Sequence, residues 1–229
     1  MTFTIMRHYL KIITLTIGAV LLQPDAARLA EQHTIVIDDF ESGISVNWQE
    51  KTFNGQTQYS LVEKDNQTSI MAESKNSASG LFYKINYAPN DYPLLEWSWQ
   101  IETTVQSGDA RHKKGDDYAA RIYVVFPNLF FWRTKALNYI WANKLPVGEF
   151  CANAYTSNNV MIAVQSGNQK AGQWLTEQRN IIDDYQQAFG EAPPEVGAIA
   201  IMTDTDNTGE EARAWYGAIK IKPLFLTNQ

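Results

Sequence analysis

The sequence lacks the residues that build disulfide frameworks and the commonest metal and nucleophile sites. Its 229 residues include one cysteine, Cys151, and three histidines, so an intramolecular disulfide is impossible. No Cys-x-x-Cys, His-Glu-x-x-His or Gly-x-Ser-x-Gly pattern and no phosphate-binding loop occurs. These absences exclude the motifs of the common zinc, serine-hydrolase and nucleotide-binding sites.

The sequence also lacks an apolar run long enough to span a membrane. Residues 12–22 are uncharged, follow Arg7 and Lys11, and precede Pro24 and a stretch of small residues. This order is typical of a secretory signal peptide, whereas a transmembrane helix needs about 20 apolar residues. We predict a signal peptide over residues 1–30 and one domain over residues 31–229, with no transmembrane anchor after cleavage. Because a disulfide is missing, we expect a bacterial protein, periplasmic or secreted. An uncleaved amphipathic N-terminus is the alternative.

Basic residues are outnumbered, with 19 lysines and arginines against 25 aspartates and glutamates. Removal of residues 1–30 takes away three basic side chains and one acidic side chain, which changes the formal net charge from −6 to −8. Such a chain is repelled by phosphate backbones and by anionic lipid. We therefore expect no nucleic-acid partner. A neutral ligand, a cationic ligand or a metal ion fits this charge better.

What the sequence has instead is a series of short strands separated by polar turns. Leu95, Trp97, Trp99 and Ile101 alternate with polar residues, which is the period of a half-buried strand. Strands are predicted over residues 34–39, 59–64, 68–74, 81–87, 94–102, 118–126, 160–165, 196–203 and 215–222, and helices over residues 130–142 and 185–189. Many strands and few helices predict a mainly β chain, an antiparallel two-sheet β-sandwich of the jelly-roll type with one or two short helices.

The strand over residues 118–126 carries a row of polar side chains on one face. Asp117, Arg121 and Tyr123 alternate with the apolar residues of the other face. A buried arginine at the centre of a strand needs a partner, and Asp117 or a carboxylate of an adjacent strand could supply it. The row is therefore either an internal ion pair or the polar floor of a ligand site. Asp117, Arg121 and Tyr123 are candidate ligand-binding residues.

Two tryptophans lie in a connection that is too long for a simple turn of a sandwich. Trp132 and Trp141 fall within residues 127–147, and long connections in compact domains are often lids or binding loops. Both residues are candidate ligand-binding residues whose rings would stack on a sugar ring or another flat apolar face. Alternatively, the predicted helix over residues 130–142 plugs an open end of the sandwich.

Residues 204–209 form the strongest local motif for a metal ion. Asp204, Asp206 and Asn207 offer two carboxylates and an amide before Gly209, and oxygens of this kind suit Ca²⁺. The motif resembles the first half of an EF-hand loop, but Trp215 stands where the closing bidentate glutamate would be. Asp204, Asp206 and Asn207 are therefore candidate ligands of a structural Ca²⁺. A tight turn that needs no metal is the alternative.

Five segments of the chain carry a resemblance to a known family. They are residues 94–99, 114–123, 137–141, 174–191 and 202–217, and together they extend over most of the predicted mature domain. These segments resemble a family of exported bacterial proteins known as domain of unknown function 3047. The family has no assigned activity, so the resemblance implies export but no substrate.

The two ends of the predicted domain are more weakly similar to those of galactose-binding-like carbohydrate-binding jelly rolls. Residues 37–41 open the domain, and the closing strand would pair near them. Many such modules hold a structural Ca²⁺ between these ends, with an acidic residue on the last strand. Ala218 lies in the corresponding stretch here, which argues against a calcium site of that type.

These patterns favour an exported, non-catalytic ligand-binding protein with a glycan-like ligand. Adjacent carboxylates such as Asp116 and Asp117 share one turn, whereas glycoside hydrolysis needs two carboxyl groups on opposite sides of a cleft. Two alternatives stay open. One is a polysaccharide-acting envelope enzyme, either a hydrolase or a lyase, and the other is an envelope structural or assembly protein that binds a protein partner.

Overall fold

Alternating apolar residues form strands along most of the chain in the computed structural model, which describes residues 33–224. The predicted signal peptide therefore lies outside the described residues. The strands are β1 (Ile35–Asp38), β2 (Trp48–Asn54), β3 (Gln58–Lys64), β4 (Gln67–Lys75), β5 (Ala78–Tyr87), β6 (Leu94–Ile101), β7 (Tyr118–Phe126), β8 (Lys135–Ala142), β9 (Phe150–Ala152), β10 (Asn159–Ser166), β11 (Leu175–Asn180), β12 (Val196–Asp204) and β13 (Glu211–Lys222). One α-helix, α1 (Ile181–Phe189), and two short 3-10 helices, Lys113–Gly115 and Phe131–Arg133, complete the described elements.

The strands form two sheets. One is six-stranded with the order β11-β6-β13-β4-β3 and with β1 paired to β13, and the other is seven-stranded with the order β2-β5-β12-β7-β8-β10-β9. The described pairings are antiparallel except that of β8 with β10, which is parallel. The predicted two-sheet β-sandwich is confirmed, and this one parallel pair departs from the antiparallel expectation.

Aromatic side chains join the two sheets in the core. Leu95, Trp97, Trp99 and Ile101 of β6 are fully buried, as their alternation predicts. Trp97 stacks on Tyr139 of the opposite sheet with 5.2 Å between the ring centroids. Rings of this size bury a large apolar area, so they supply much of the free energy that holds the sheets together.

The predicted helix over residues 130–142 is wrong. Phe131–Arg133 form a single 3-10 turn, and Lys135–Ala142 form strand β8. Trp141 faces the core between the sheets, whereas Ile140 is buried on the other face, beneath a loop. Because β8 is buried on both faces, its sequence shows no alternation and fits a helix as well as a strand.

The second predicted helix is present and begins earlier than expected. It starts after Asn180, whose side-chain oxygen accepts a hydrogen bond of 3.0 Å from the N–H two residues later. It ends at Gly190, whose φ of 72° is the left-handed conformation of a helix C-cap. Asp183 and Asp184, which precede the predicted helix, lie inside it. Among residues 33–224, no helix is long and apolar enough to cross a membrane.

The outer face of the seven-stranded sheet is divided into two halves. Over one half, Ala110 and Leu145 from loops cover Ile140, Met161 and Ala163 and form a second, smaller apolar cluster. Over the other half, formed by β2, β5, β12 and β7, two cavities open on the sheet. The fold therefore leaves part of one sheet face accessible to a ligand.

Candidate functional site

Two groups of residues that lie far apart in the sequence meet in one cavity on this outer face. The cavity has a volume of about 420 Å³, and we call it the polar cleft. It is lined by Phe53, Ala78, Asp116, Arg121, Tyr123, Asn153, Tyr155, Asn159, Met202, Asp204, Asp206 and Asn207. Five of the predicted site residues therefore line one cavity, and Asp117 is hydrogen-bonded to one of them, Asn207.

The pairing of β12 with β7 brings the two groups together. Met202 of β12 lies opposite Arg121 of β7, and Asp204 lies opposite Tyr118. Alternate residues of a strand share a face, so Arg121 and Tyr123 lie on the same outer face as Met202 and Asp204. The sheet register thus places the polar row of β7 beside Asp204, the first residue of the loop over residues 204–209, which we call the acidic loop.

A buried ion pair forms the floor of the polar cleft. Arg121 Nη2 lies 2.5 Å from Asp204 Oδ2, and the two side chains are only 6% and 2% exposed. The guanidinium also lies 5.2 Å from the ring centres of Tyr118 and Tyr123, a cation–π distance. The sequence allowed either Asp117 or a carboxylate of an adjacent strand as the partner of Arg121. In the structure the partner is Asp204 of the adjacent strand β12.

Negative charge is crowded around Asp204. Burial raises the pKa of this carboxyl well above its usual range, and the carboxylates of Asp117, Asp116 and Asp206 raise it further, whereas Arg121 opposes them. One guanidinium therefore offsets only part of the effect of burial and of the repulsion from three neighbours on the pKa of Asp204. The ionised form of Asp204 depends on Arg121 for its stability.

Asp117 holds the acidic loop in place through neutral donors. Its Oδ2 accepts a hydrogen bond of 2.6 Å from the backbone N–H of Thr208. Its Oδ1 accepts hydrogen bonds from the backbone N–H and the side-chain amide of Asn207, both at 3.2 Å. The loop over residues 204–209 is therefore ordered by a carboxylate that precedes β7.

Three carboxylates of this site are close enough to share a cation. One oxygen each of Asp117, Asp204 and Asp206 lie within 4.8 Å of one another, and Ca²⁺ prefers such oxygens. However, Arg121 already neutralises Asp204, and its guanidinium would repel a divalent ion placed beside it. The donor set fits Ca²⁺ poorly, and the hydrogen bonds of Asp117 favour the alternative of a tight turn.

Calcium is accordingly expected to leave the thermal unfolding of the protein unchanged. An ion present at a hundredfold its Kd would stabilise the fold by about 2.7 kcal/mol, which a melting curve resolves. The measurement compares the Tm of the protein in millimolar calcium and in chelator. A calcium-dependent rise in Tm that disappears in Asp206→Asn would show that the loop binds the ion and would contradict this expectation.

A row of aromatic rings runs from the polar cleft across the sheet. The ring centroid of Tyr123 lies 6.3 Å from that of Phe82, which lies 6.5 Å from that of Phe53. Phe82 also lines a second and more apolar cavity of about 620 Å³, which we call the apolar cavity. Its lining consists of Gln49, Glu50, Lys51, Phe82, Lys84, Ile85, Asn86, Val125, Pro127, Gly197 and Ala198. The aromatic row therefore connects the two cavities.

The two tryptophans predicted to contact a ligand lie outside the polar cleft. Trp141 is fully buried, and its Nε1 donates a hydrogen bond of 3.0 Å to the carbonyl of Gly167. This burial contradicts the prediction that Trp141 contacts a ligand, because the residue belongs to strand β8 and not to an exposed helix. Trp132 is 60% exposed in the loop after β7 and lines neither cavity.

Sequence reasoning missed several lining residues. Phe53 and Phe82 come from β2 and β5, and Asn153, Tyr155 and Asn159 come from the segment that includes β9 and β10. None of them belongs to a local motif, and each reaches the site only through the order of strands in the sheet. The one usable signal is the alternation of β5, which places Phe82 opposite to the buried side chains of that strand.

A family model covers most of the chain. The model described as "Protein of unknown function (DUF3047)" matches residues 46–220, which include the polar cleft and the aromatic row. No curated protein matches the chain in sequence. The resemblance predicted from the five segments is confirmed.

Several solved structures have a similar arrangement of strands. The family 11 carbohydrate-binding module of a cellulosomal cellulase of Clostridium thermocellum has a TM-score of 0.48 at 10% identity, with 86% of this chain and 99% of that chain covered. The Emp47p carbohydrate recognition domain has a TM-score of 0.45 at 12% identity, with 88% and 100% covered. The xyloglucanase domain of NopAA from Sinorhizobium fredii has a TM-score of 0.41 at 11% identity, with 76% and 93% covered. Each TM-score is below 0.5, so the fold assignment rests on the two sheets themselves.

Proposed function

We propose that this chain, which belongs to the family described as Protein of unknown function (DUF3047), binds a carbohydrate on the outer face of its seven-stranded sheet. The observation that carries the proposal is a polar cleft that continues into a row of accessible aromatic rings. Tyr123 belongs to both, because it lines the cleft and its ring lies in the row. Its hydroxyl group donates to a weak acceptor, Met202 Sδ, at 3.7 Å. A ligand of this site needs hydrogen-bonding groups beside an apolar face.

A sugar ring combines these two properties, since its hydroxyl groups lie around the edge and its C–H groups lie on the faces. Polar side chains of the cleft would fix the hydroxyl groups, and aromatic rings would cover a ring face, which is the usual composition of a small-molecule site. The rings of Tyr123 and Phe82 border different cavities and lie 6.3 Å apart. A linear glycan of several units could therefore extend over both cavities.

Binding without catalysis is part of the proposal. Asp204 is engaged by Arg121, and Asp116 accepts hydrogen bonds from Tyr118 Oη at 3.0 Å and from Asn153 Nδ2 at 2.8 Å. Both carboxyl groups are thus held by neighbouring side chains, which argues against their acting as the acid and the nucleophile or base that glycoside hydrolysis requires. The arrangement favours a binding protein over a hydrolase.

A screen of soluble oligosaccharides against the native protein tests the proposal. Isothermal titration of linear and branched glycans is expected to find at least one class that binds. Incubation with the same glycan should release no new reducing ends and no unsaturated sugars. Absence of binding across the screen would contradict the carbohydrate proposal, and product release would contradict the non-catalytic part alone.

Export to the periplasm or the medium is also proposed, from the basic and apolar residues at the start of the chain. N-terminal sequencing of the native protein is expected to begin near Glu31. An intact Met1 in a cytoplasmic fraction would contradict export, and it would remove envelope glycans as the source of the ligand.

A further inference from the structure

The polar cleft contains more carboxylates than positively charged groups. Asp116, Asp117, Asp204 and Asp206 all lie in or directly behind it, and Arg121 is the guanidinium among them. Of the salt bridges in residues 33–224, only that of Arg121 with Asp204 involves this group. Three carboxylates therefore have no ion-pair partner within the described part of the chain.

The accessible member of this group is Asp206. It is half-buried, and its oxygens accept hydrogen bonds from the amides of Asn54 at 3.2 Å and Asn207 at 3.0 Å. Two lysines contact aromatic residues of the cleft: Lys51 lies over the ring of Phe53, and Lys113 lies over the ring of Tyr155. Neither lysine reaches the carboxylates, so their charge is open to a cationic group of a ligand.

A second and independent feature of the cleft indicates an oxygen-rich ligand. Arg121 is 5% exposed, and its Nε has no hydrogen-bond partner among the described residues. Asn159, which also lines the cleft, has an unpartnered Oδ1. Buried donors and acceptors in proteins are almost always paired, and both residues line the cleft, so we take their unpaired hydrogen-bonding capacity as support for a ligand that brings its own hydroxyl groups.

We infer that the carbohydrate bound here carries a free amino group, so that a protonated hexosamine unit places its ammonium at Asp206 and its hydroxyl groups toward Arg121 and Asn159. The inference rests on the proposed function and names the class of sugar. An ammonium supplies the missing positive charge through charge-assisted hydrogen bonds. A uronic acid would add a fifth carboxylate to the cleft and is disfavoured.

Three oligosaccharides that share one backbone test the inference, because they differ only at the second carbon. Wild-type protein is titrated, in chelator and at low salt, with β-1,4-linked hexamers of glucosamine, N-acetylglucosamine and glucose, and with a hexamer of galacturonic acid. The glucosamine hexamer is expected to bind about tenfold more tightly than the glucose hexamer. Added salt should reduce this preference, because screening weakens an accessible ion pair.

The substitution Asp206→Asn tests how much the negative charge of Asp206 contributes to binding. The substitution keeps the size of the side chain and removes one negative charge, so the affinity for the glucosamine hexamer is expected to fall by more than the affinity for the glucose hexamer, and the preference between them is lost. The Tm of Asp206→Asn should be equal to or above that of the wild type, because repulsion with Asp117 and Asp204 is relieved. Asp183→Asn, at an exposed carboxylate of α1, is the control for total charge.

The outcomes separate the inference from the proposed function. Equal affinity for the glucosamine and glucose hexamers, a preference for galacturonic acid, or an unchanged preference in Asp206→Asn would overturn the inference and leave carbohydrate binding intact. Failure of all four hexamers and of the wider screen would overturn the proposed function as well. The predicted preference, together with its loss in Asp206→Asn and its retention in Asp183→Asn, would support both.

Discussion

Replacing Arg121 with alanine is expected to lower the free energy of unfolding by about 3–5 kcal/mol, which is typical when one partner of a buried ion pair is removed. Asp204 would be left buried without a cation and beside the carboxylates of Asp116, Asp117 and Asp206. Urea denaturation of Arg121→Ala and the wild type measures the difference. An unchanged free energy of unfolding would show that Asp204 does not depend on the pair.

The pH dependence of this effect has a definite sign. The pKa of Asp204 is already raised by burial, and loss of Arg121 raises it further. In the window between the unfolded pKa, about 3.9, and this raised pKa, the folded state binds the proton more tightly, so stability falls as the pH rises. The loss in the free energy of unfolding caused by Arg121→Ala should therefore be smaller in acid, where Asp204 is neutral.

A double substitution separates the buried charge from the packing of the site. In Arg121→Met/Asp204→Leu both charges are absent and apolar atoms fill similar volumes. Such replacements of buried ion pairs are often neutral or stabilising, so most of the stability lost in Arg121→Ala should return. A double variant as unstable as Arg121→Ala would assign the loss to altered packing and not to an unpaired carboxylate.

The second large effect is expected on ligand affinity and not on stability. Tyr123→Ala and Phe82→Ala should each weaken binding of the glycan found in the screen by about 10- to 100-fold, the range of an aromatic residue at the centre of an interface. Both side chains are half-buried on the outer face, so their removal takes away the aromatic surface of the site. Titration of each variant against the wild type measures the change.

Exposed aromatic residues outside the cavities provide matched controls. Phe131 and Trp132 are 81% and 60% exposed in the loop after β7 and line neither cavity. Phe131→Ala and Trp132→Ala should bind the glycan as the wild type does. If Trp132→Ala weakens binding as much as Tyr123→Ala, the loop contributes to the site, as its aromatic sequence suggests. If only the loop variants weaken binding, the aromatic row is not the ligand surface.

Much of the fold could be predicted because local alternation and turn residues are visible in the sequence. β6 shows this most clearly, since its apolar residues alternate and are all buried. β8 could not be recognised, because its two faces are buried for different reasons. One faces the core, and the other lies beneath Ala110 and Leu145. A strand without alternation carries no local signal that separates it from a helix.

The chemistry of the site could be predicted in part and its assembly could not. Arg121, Tyr123, Asp204, Asp206 and Asn207 were identified from two separate local patterns. That these patterns form one cleft follows from the adjacency of β7 and β12, which are separated by four other strands in the chain. Strand order depends on packing across the whole domain, so a local motif cannot reveal it. Phe53 and Phe82 were missed for the same reason.

Mapping the bound glycan on the protein tests the central claim most directly. Backbone amide chemical shifts of the native protein are followed by NMR during titration with the glycan found in the screen. The predicted result is a set of changes centred on the outer faces of β5, β12 and β7, including Phe82, Tyr123 and Met202, and on the loop over residues 204–209. Changes confined to the six-stranded sheet, for example to β3 and β11, would contradict the assignment of the site.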